Sequence, residues 1–311
     1  MIAETAQRLR ENIQKVMVGK DEVINLTLAV VLCEGHMLLE DVPGIGKTTL
    51  ARALAASLGC TFRRIQFTPD LLPSDVTGLY WFNQKNQDFE FKPGPIMSQV
   101  VLADEINRAT PRTQSALLEA MQERQVTIDG VTHALQRPFL VMATQNPVEL
   151  EGTFPLPEAQ IDRFLMRIAI GYPEETEENE ILERFKLSDP LPELLPVVPT
   201  EEIIQMVDER RRVKVVNPVR EYIVKVTRAT RQHAEIELGA SPRATLALYQ
   251  SAQAWAAIHG RDFVLPDDVK YVAPHVLTHR LMISPQAQLR GRRLSELVAD
   301  LVEALPVPVE N

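Results

Sequence analysis

Between an apolar run, His36-Met37-Leu38-Leu39, and a helical repeat with Leu50, Leu54 and Leu58 at i, i+4 and i+8 lies Val42-Pro43-Gly44-Ile45-Gly46-Lys47-Thr48-Thr49. A strand, a glycine-rich loop and a helix in that order are the setting in which a loop cradles phosphates. Over Pro43, Gly44, Ile45, Gly46, Lys47, Thr48 and Thr49 the backbone is expected to wrap a β-phosphate at a helix N-terminus, where the dipole favours negative charge. Lys47 is expected to reach the β- and γ-phosphates, and the Thr48 hydroxyl to hold Mg²⁺, so ATP and Mg²⁺ are the expected ligands. The general pattern G-x-x-x-x-G-K-[ST] has a glycine where this chain has Asp41. Aspartate tolerates unusual backbone angles better than most residues, so the turn can survive.

A second stretch supplies the acids such a loop needs. Val100-Val101-Leu102-Ala103 is a buried-strand pattern that closes on Asp104-Glu105. Two adjacent carboxylates more often make a solvated turn. After a β-branched run downstream of the lysine they are expected to work, Asp104 on the Mg²⁺ shell and Glu105 on the attacking water. Phe139 to Ala143 is another buried strand, ending at Thr144-Gln145-Asn146-Pro147. Asn146, at its tip, either hydrogen-bonds a γ-phosphate or its water, or caps a turn. Val18 and Gly19 either line an adenine pocket, since glycine allows close backbone approach, or form a plain helix–helix turn.

The remaining organisation follows from pattern. Residues 3–17 read as a helix, and the next helix carries Ile24, Leu28, Val31 and Leu32 on one face. Trp81-Phe82 and Asp88–Phe91 flank a polar turn and read as a hairpin; Asp129-Gly130 joins a second one, because that pair accepts positive φ. A helix is expected from Pro111 to Glu123, and a short one from Glu158 before a strand near Ile168. A composition shift at Gly171-Tyr172-Pro173 divides the chain into residues 1–172, an α/β domain, and 173–311, helical throughout. In the second part Asn217-Pro218, Ser241-Pro242, Pro266 and Ser295 mark helix starts.

With 311 residues the chain suits one large or two modest domains. A net charge of −9 leaves no overall basic footprint for nucleic acid. Cys33 and Cys60 sit in apolar segments and read as reduced core residues of a cytoplasmic protein. No signal peptide or membrane-spanning run is expected.

Taken together, Leu39–Thr48, Ala103–Ala109, Ala143–Pro147, Glu151–Gln160 and Ser241-Pro242-Arg243-Ala244 resemble the AAA+ ATPases and, within them, the MoxR group. The match spans nearly the whole chain, and Asp41 resembles a habit of that group. The resemblance implies an α/β fold: a P-loop AAA+ domain with a five-stranded parallel sheet, followed by an all-α lid, assembling as a homo-oligomer, a hexameric ring. It makes Asn146 sensor 1, Arg243 a sensor 2 arginine carried by the lid onto the nucleotide, and Arg163 an arginine finger offered to a neighbouring subunit. It places the two hairpins toward the pore or partners. It also implies chaperone-like work on protein clients alongside a von Willebrand factor A domain protein. Against this ATP-hydrolysing remodelling machine stand a DNA-acting motor, which the acidic balance disfavours, a metal-chelatase motor subunit, and an ATP-binding switch with little turnover.

Overall fold

The computed structural model describes residues 1–40, 42, 44–145 and 153–308. The readings made for Asp41, Pro43, Asn146, Pro147, Glu151 and Gly152 lie outside the described residues.

Helix α1 (Ile2–Gln14) buries Ile2, Ala6, Leu9 and Ile13 at helical spacing. Helix α2 (Asp21–Leu32) opens on Asp21 and Glu22, where the dipole favours acids. Every residue of α2 from Val23 to Leu32 is buried, so the single apolar face expected of it is corrected to enclosure on all sides.

The chain then alternates strands and helices: β1 (Met37–Glu40), α3 (Lys47–Ser57), β2 (Phe62–Gln66), α4 (Pro73–Thr77), β3 (Gly78–Asn83), β4 (Asp88–Pro93), β5 (Val100–Asp104) and α5 (Pro111–Glu123). It continues through β6 (Gln125–Ile128), β7 (Val131–Ala134), β8 (Leu140–Gln145), α6 (Glu158–Ile161) and β9 (Met166–Ile168). Five strands form a parallel sheet in the order β2-β5-β8-β1-β9. Such a sheet must be covered on both faces, and its strands read as apolar runs for that reason. Alternation sorts them: Met37, Leu39, Leu102 and Met142 join the core containing α1, α2 and α3, while Leu38, Val101, Ala103 and Val141 join that of α5. Both expected hairpins form, β3 with β4 and β6 with β7, and Asp129 and Gly130 take φ of 49° and 83° at the second turn.

Beyond Tyr172 come α7 (Glu175–Arg184), α8 (Thr200–Arg210), α9 (Asn217–Gln232), β10 (Ile236–Leu238), α10 (Pro242–Ile258), α11 (Pro266–Leu277), β11 (Met282–Ile283), α12 (Pro285–Leu289) and α13 (Leu294–Ala304). The helical expectation holds, with β10 and β11 added as a short antiparallel pair. Ser241 caps α10 as expected, its Oγ accepting from the Ala244 N–H at 3.2 Å. Two other starts need correction: Asn217 is already the first residue of α9, and α13 opens at Leu294 rather than at Ser295. Helix α10 packs on α1 and α2, and α11 packs on β9, so one apolar core runs unbroken across the composition shift. That packing is why α2 has no polar face. Among the described residues no helix is long and apolar enough to cross a membrane.

Candidate functional site

Gly44 and Gly46 adopt φ of 89° and 94°, in the left-handed region that glycine enters at little cost. A Cβ at Gly44 would meet nothing within 4 Å, so the dihedral, not crowding, demands glycine there. Gly46 precedes the first residue of α3, Lys47, so the first turn of that helix opens directly on the loop. The loop borders a polar cleft of about 900 Å³. Gly44, Gly46, Lys47, Thr48 and Thr49 line one side; Arg64, Gln66, Asp104, Glu105 and Thr144 line the other.

The acidic side is a tight network. Asp104 Oδ2 accepts from Arg64 Nη2 at 2.6 Å and Nε at 3.0 Å, and its Oδ1 accepts from Thr144 Oγ1 at 2.6 Å. The same hydroxyl accepts from the Glu105 N–H at 2.8 Å. Glu105 lies at φ 56°, a left-handed conformation that costs a non-glycine residue ~1–3 kcal/mol and recurs at active sites as well as in turns. Its Oε2 accepts from Gln66 Nε2 at 2.7 Å and from Arg108 Nη1 at 2.9 Å. These residues meet because β2 and β5 run parallel with Gln66 opposite Asp104, which brings the two strand tips level. Sequence reasoning missed Arg64, Gln66 and Thr144. The alternation that buries Ile65 and Phe67 does turn Arg64 and Gln66 to the other side, but only the strand order aims them at Asp104.

The donors facing this cleft suit magnesium. The Thr48 hydroxyl and Asp104 carboxylate are hard oxygen ligands. Among the described residues no cluster of three or more His, Cys, Asp or Glu forms a metal cage. Mg²⁺ usually keeps several waters and is bound by one or two protein oxygens together with phosphates.

A second cleft, of about 610 Å³, shares Gly44, Gly46 and Thr49 with the first and continues it between Val16, Met17, Val18, Ile45, Ile181 and Phe185. Apolar walls beside a phosphate cradle fit a nucleotide base. Gly19 stands next to it at φ 65°, where a Cβ would fall 1.7 Å from Glu177 Oε1, so its bareness makes room for α7. Lys20 secures the same junction, donating to the Tyr172 carbonyl at 3.0 Å with Glu177 Oε2 at 3.7 Å.

Arg163 and Arg243 are brought together, but elsewhere. Both line a third cleft of about 970 Å³ with Glu34, Arg124, Asp162, Arg210, Arg211 and Arg280. Arg243 is in neither the wall of the phosphate cleft nor that of the base cleft. The reason is how α10 is tied down. Ser241, its cap, donates to Asp162 Oδ2 at 3.2 Å, which sets Arg243 beside Arg163. Arg280, almost fully buried, donates to Asp162 Oδ1 at 2.7 Å and to the Phe164 and Leu165 carbonyls at 2.5 and 3.0 Å. Burial, with the Arg243 charge adding and Asp162 opposing, lowers the Arg280 pKa to about 10. Asp162 is thus occupied from the C-terminal side, and among the described residues it forms no ion pair with Arg163.

The family model described as ATPase family associated with various cellular activities (AAA) matches residues 36–166, and the AAA lid domain model matches 228–301. The Bacillus subtilis protein YeaC is 53% identical over 301 residues, covering 97% of this chain and 94% of its own. Chaperone MoxR1 of Mycobacterium tuberculosis is 42% identical, covering 91% of this chain and 77% of its own. The chain belongs to the MoxR-type AAA+ ATPases. A crystal structure of a Cytophaga hutchinsonii protein, 38% identical, superposes with a TM-score of 0.93 over 99% of this chain and 96% of that one. A MoxR-type AAA+ ATPase binds and hydrolyses ATP. In this chain one cleft has Lys47 and Thr48 on one side and Asp104 and Glu105 on the other.

Proposed function

We propose that this ATPase works as a ring of identical subunits, with six as the expected number, each ATP lying between the phosphate cleft of one copy and the arginine cleft of the next. The observation that carries this reading is the separation of the two clefts, since Lys47 and the Arg163–Arg243 pair share no wall within one chain. Residues 1–172 form the nucleotide-binding domain and 173–311 the lid, whose Ile181 and Phe185 complete the wall of the base cleft. In the phosphate cleft Lys47 and the first-turn N–H groups of α3 bind the β- and γ-phosphates, helped by the Pro43–Thr49 loop. Val18 walls the base, and Gly19 lets α7 close beside it. Thr48 and Asp104 hold Mg²⁺, which when bound neutralises charge building on the phosphates. Glu105 leaves Gln66 to orient the attacking water and accept its proton, with Asn146 on the γ-phosphate side. Arg163 and Arg243 place positive charge on the neighbour's transferring phosphoryl group.

The work so driven is remodelling of protein clients, in keeping with relatives named chaperone MoxR1 and protein MoxR. The cytoplasm is the proposed compartment, and a von Willebrand factor A domain protein the proposed partner. Light scattering with a non-hydrolysable ATP analogue and Mg²⁺ tests the ring, and pull-down with Glu105→Gln tests the client. Assembly on nucleotide addition, weakened when every subunit is Lys47→Ala, and a protein held only in the ATP state are the expected results. A parent that stays monomeric while hydrolysing ATP at its full rate overturns the reading.

A further inference from the structure

A groove between α9 and α10, about 830 Å³ in volume, adjoins the arginine cleft at Leu246. Its apolar part includes Ile223 and Tyr249 together with Val224 and Leu246, which are 40% and 55% exposed. Arg220, Arg228 and Arg231 rim it, and with Val224 they follow one another at i, i+4, i+8 and i+11 along a single face of α9. An exposed apolar surface edged by like charges marks a docking site for an acidic, partly apolar element.

One element of this chain has that character. Residues 174–187 contain six glutamates against Arg184 and Lys186. Glu177, Ile181 and Arg184, at i, i+4 and i+7, face inward on α7. Glu175, Glu178 and Leu182, at i, i+3 and i+7, face outward, with Leu182 71% exposed and Leu187, just past the helix, 94% exposed. Glu180 pairs with Arg184 and Glu177 with Lys20, whereas Glu175 and Glu178 form no ion pair among the described residues.

We infer that α7 of one copy seats in the α9–α10 groove of the next, Leu182 against Val224 and Leu246, and Glu175 and Glu178 against the arginine rim. The pairing rests on the ring reading above and specifies which surfaces meet. Ile181 of α7 and Phe185, just past its end, line the base cleft, while Leu246 lines both the groove and the arginine cleft. A copy that reaches its Arg163 and Arg243 over a neighbour's phosphates therefore brings its groove toward that neighbour's α7. Nucleotide in the base cleft steadies α7 from behind, so assembly should depend on nucleotide. The contact is heterologous, and each copy offers one α7 and one groove.

Sedimentation velocity with a non-hydrolysable ATP analogue and Mg²⁺ tests this. Leu182→Glu and Arg228→Glu should each weaken assembly at least tenfold while analogue affinity and the melting temperature stay those of the parent. Mixed one to one, the two variants should form a dimer and stop there, because the intact α7 of one meets the intact groove of the other and both outer faces are spoiled. Glu178→Arg combined with Arg228→Glu should recover part of the assembly. If Leu182→Glu or Arg228→Glu assembles like the parent, or if the folded pair yields no dimer, the docking pair is wrong although the ring can stand. A parent that never assembles overturns the ring, and this pairing with it.

Discussion

Arg64 grips Asp104 through two guanidinium nitrogens, at 2.6 and 3.0 Å, across the tips of β2 and β5. The carboxylate proposed to serve Mg²⁺ is thus already held by a protein cation. Arg64 has to yield for the metal to take Asp104 fully. A half-exposed pair of this kind is worth ~0.2–1 kcal/mol. Arg64→Gln should therefore lower the Mg²⁺ concentration needed for half-maximal ATP binding, by about 1.4- to 5-fold. Titrating Mg²⁺ against a fluorescent ATP analogue measures it. A higher requirement in the variant would show that Arg64 contacts the nucleotide instead.

Glu105 is turned toward Gln66 and Arg108, at 2.7 and 2.9 Å. Glu105→Gln keeps the shape but cannot accept a proton, so it should bind ATP normally and release phosphate at least ~10²-fold more slowly, in line with loss of a general base. Gln66→Ala removes one of the two donors and should raise the single-turnover rate without changing affinity. An unchanged rate in Glu105→Gln would remove that residue from water activation.

Arg163 sits beside Arg243 with its neighbour Asp162 bound by Arg280 and Ser241. An arginine finger supplied in trans is worth roughly 10³–10⁵ in rate. Arg163→Ala should bind ATP and hydrolyse it very slowly, and Arg163→Lys should recover little because the planar fork is lost. Rings mixed from Arg163→Ala and Lys47→Ala subunits should regain activity, since an intact loop can face an intact arginine. Mixed rings that co-assemble and stay inactive rule out action across the interface.

His36, buried at the start of β1, takes the Val141 N–H on Nδ1 at 3.0 Å, which leaves Nε2 to donate to the Met121 carbonyl, also at 3.0 Å. Only the neutral ring satisfies both. Burial lowers its pKa from 6.5 to about 4, with the nearby Arg124 charge adding to the shift and the Met121 bond opposing it. The unfolded chain thus binds the proton more tightly. Stability from this group is complete above pH 6.5 and is lost as pH falls toward 4, by roughly 3 kcal/mol on linkage. Denaturant unfolding of the parent and His36→Gln between pH 7.5 and 4.5 should show the larger loss in the parent. Parallel pH profiles would exclude His36 as the source.

Local chemistry was enough to place the glycine loop, the Asp104–Glu105 strand end, both hairpins and the Ser241 cap, because each depends on residues adjacent in the chain. Glycine at positive φ, apolar runs closing on acids and Asp-Gly turns keep their meaning whatever surrounds them. Helix starts were less secure: Asn217 entered α9 because packing of Val219, Tyr222 and Ile223 extended the helix past the residue that would have capped it. Enclosure of α2 could not be read from its apolar pattern, since the helix that covers it, α10, lies more than two hundred residues further on. Arg64 and Gln66 acquired meaning only when β2 paired with β5 and brought two strand ends level. The position of Arg243 was likewise a tertiary matter, settled by the Ser241–Asp162 and Arg280–Asp162 contacts. The left-handed Gly44 and Gly46 and the strand closing on Asp104 were legible in the chain itself, because backbone dihedrals and local patterning are properties of short segments. Tertiary structure alone decided which of them face one another, because strand order and lid docking depend on burial across the whole chain.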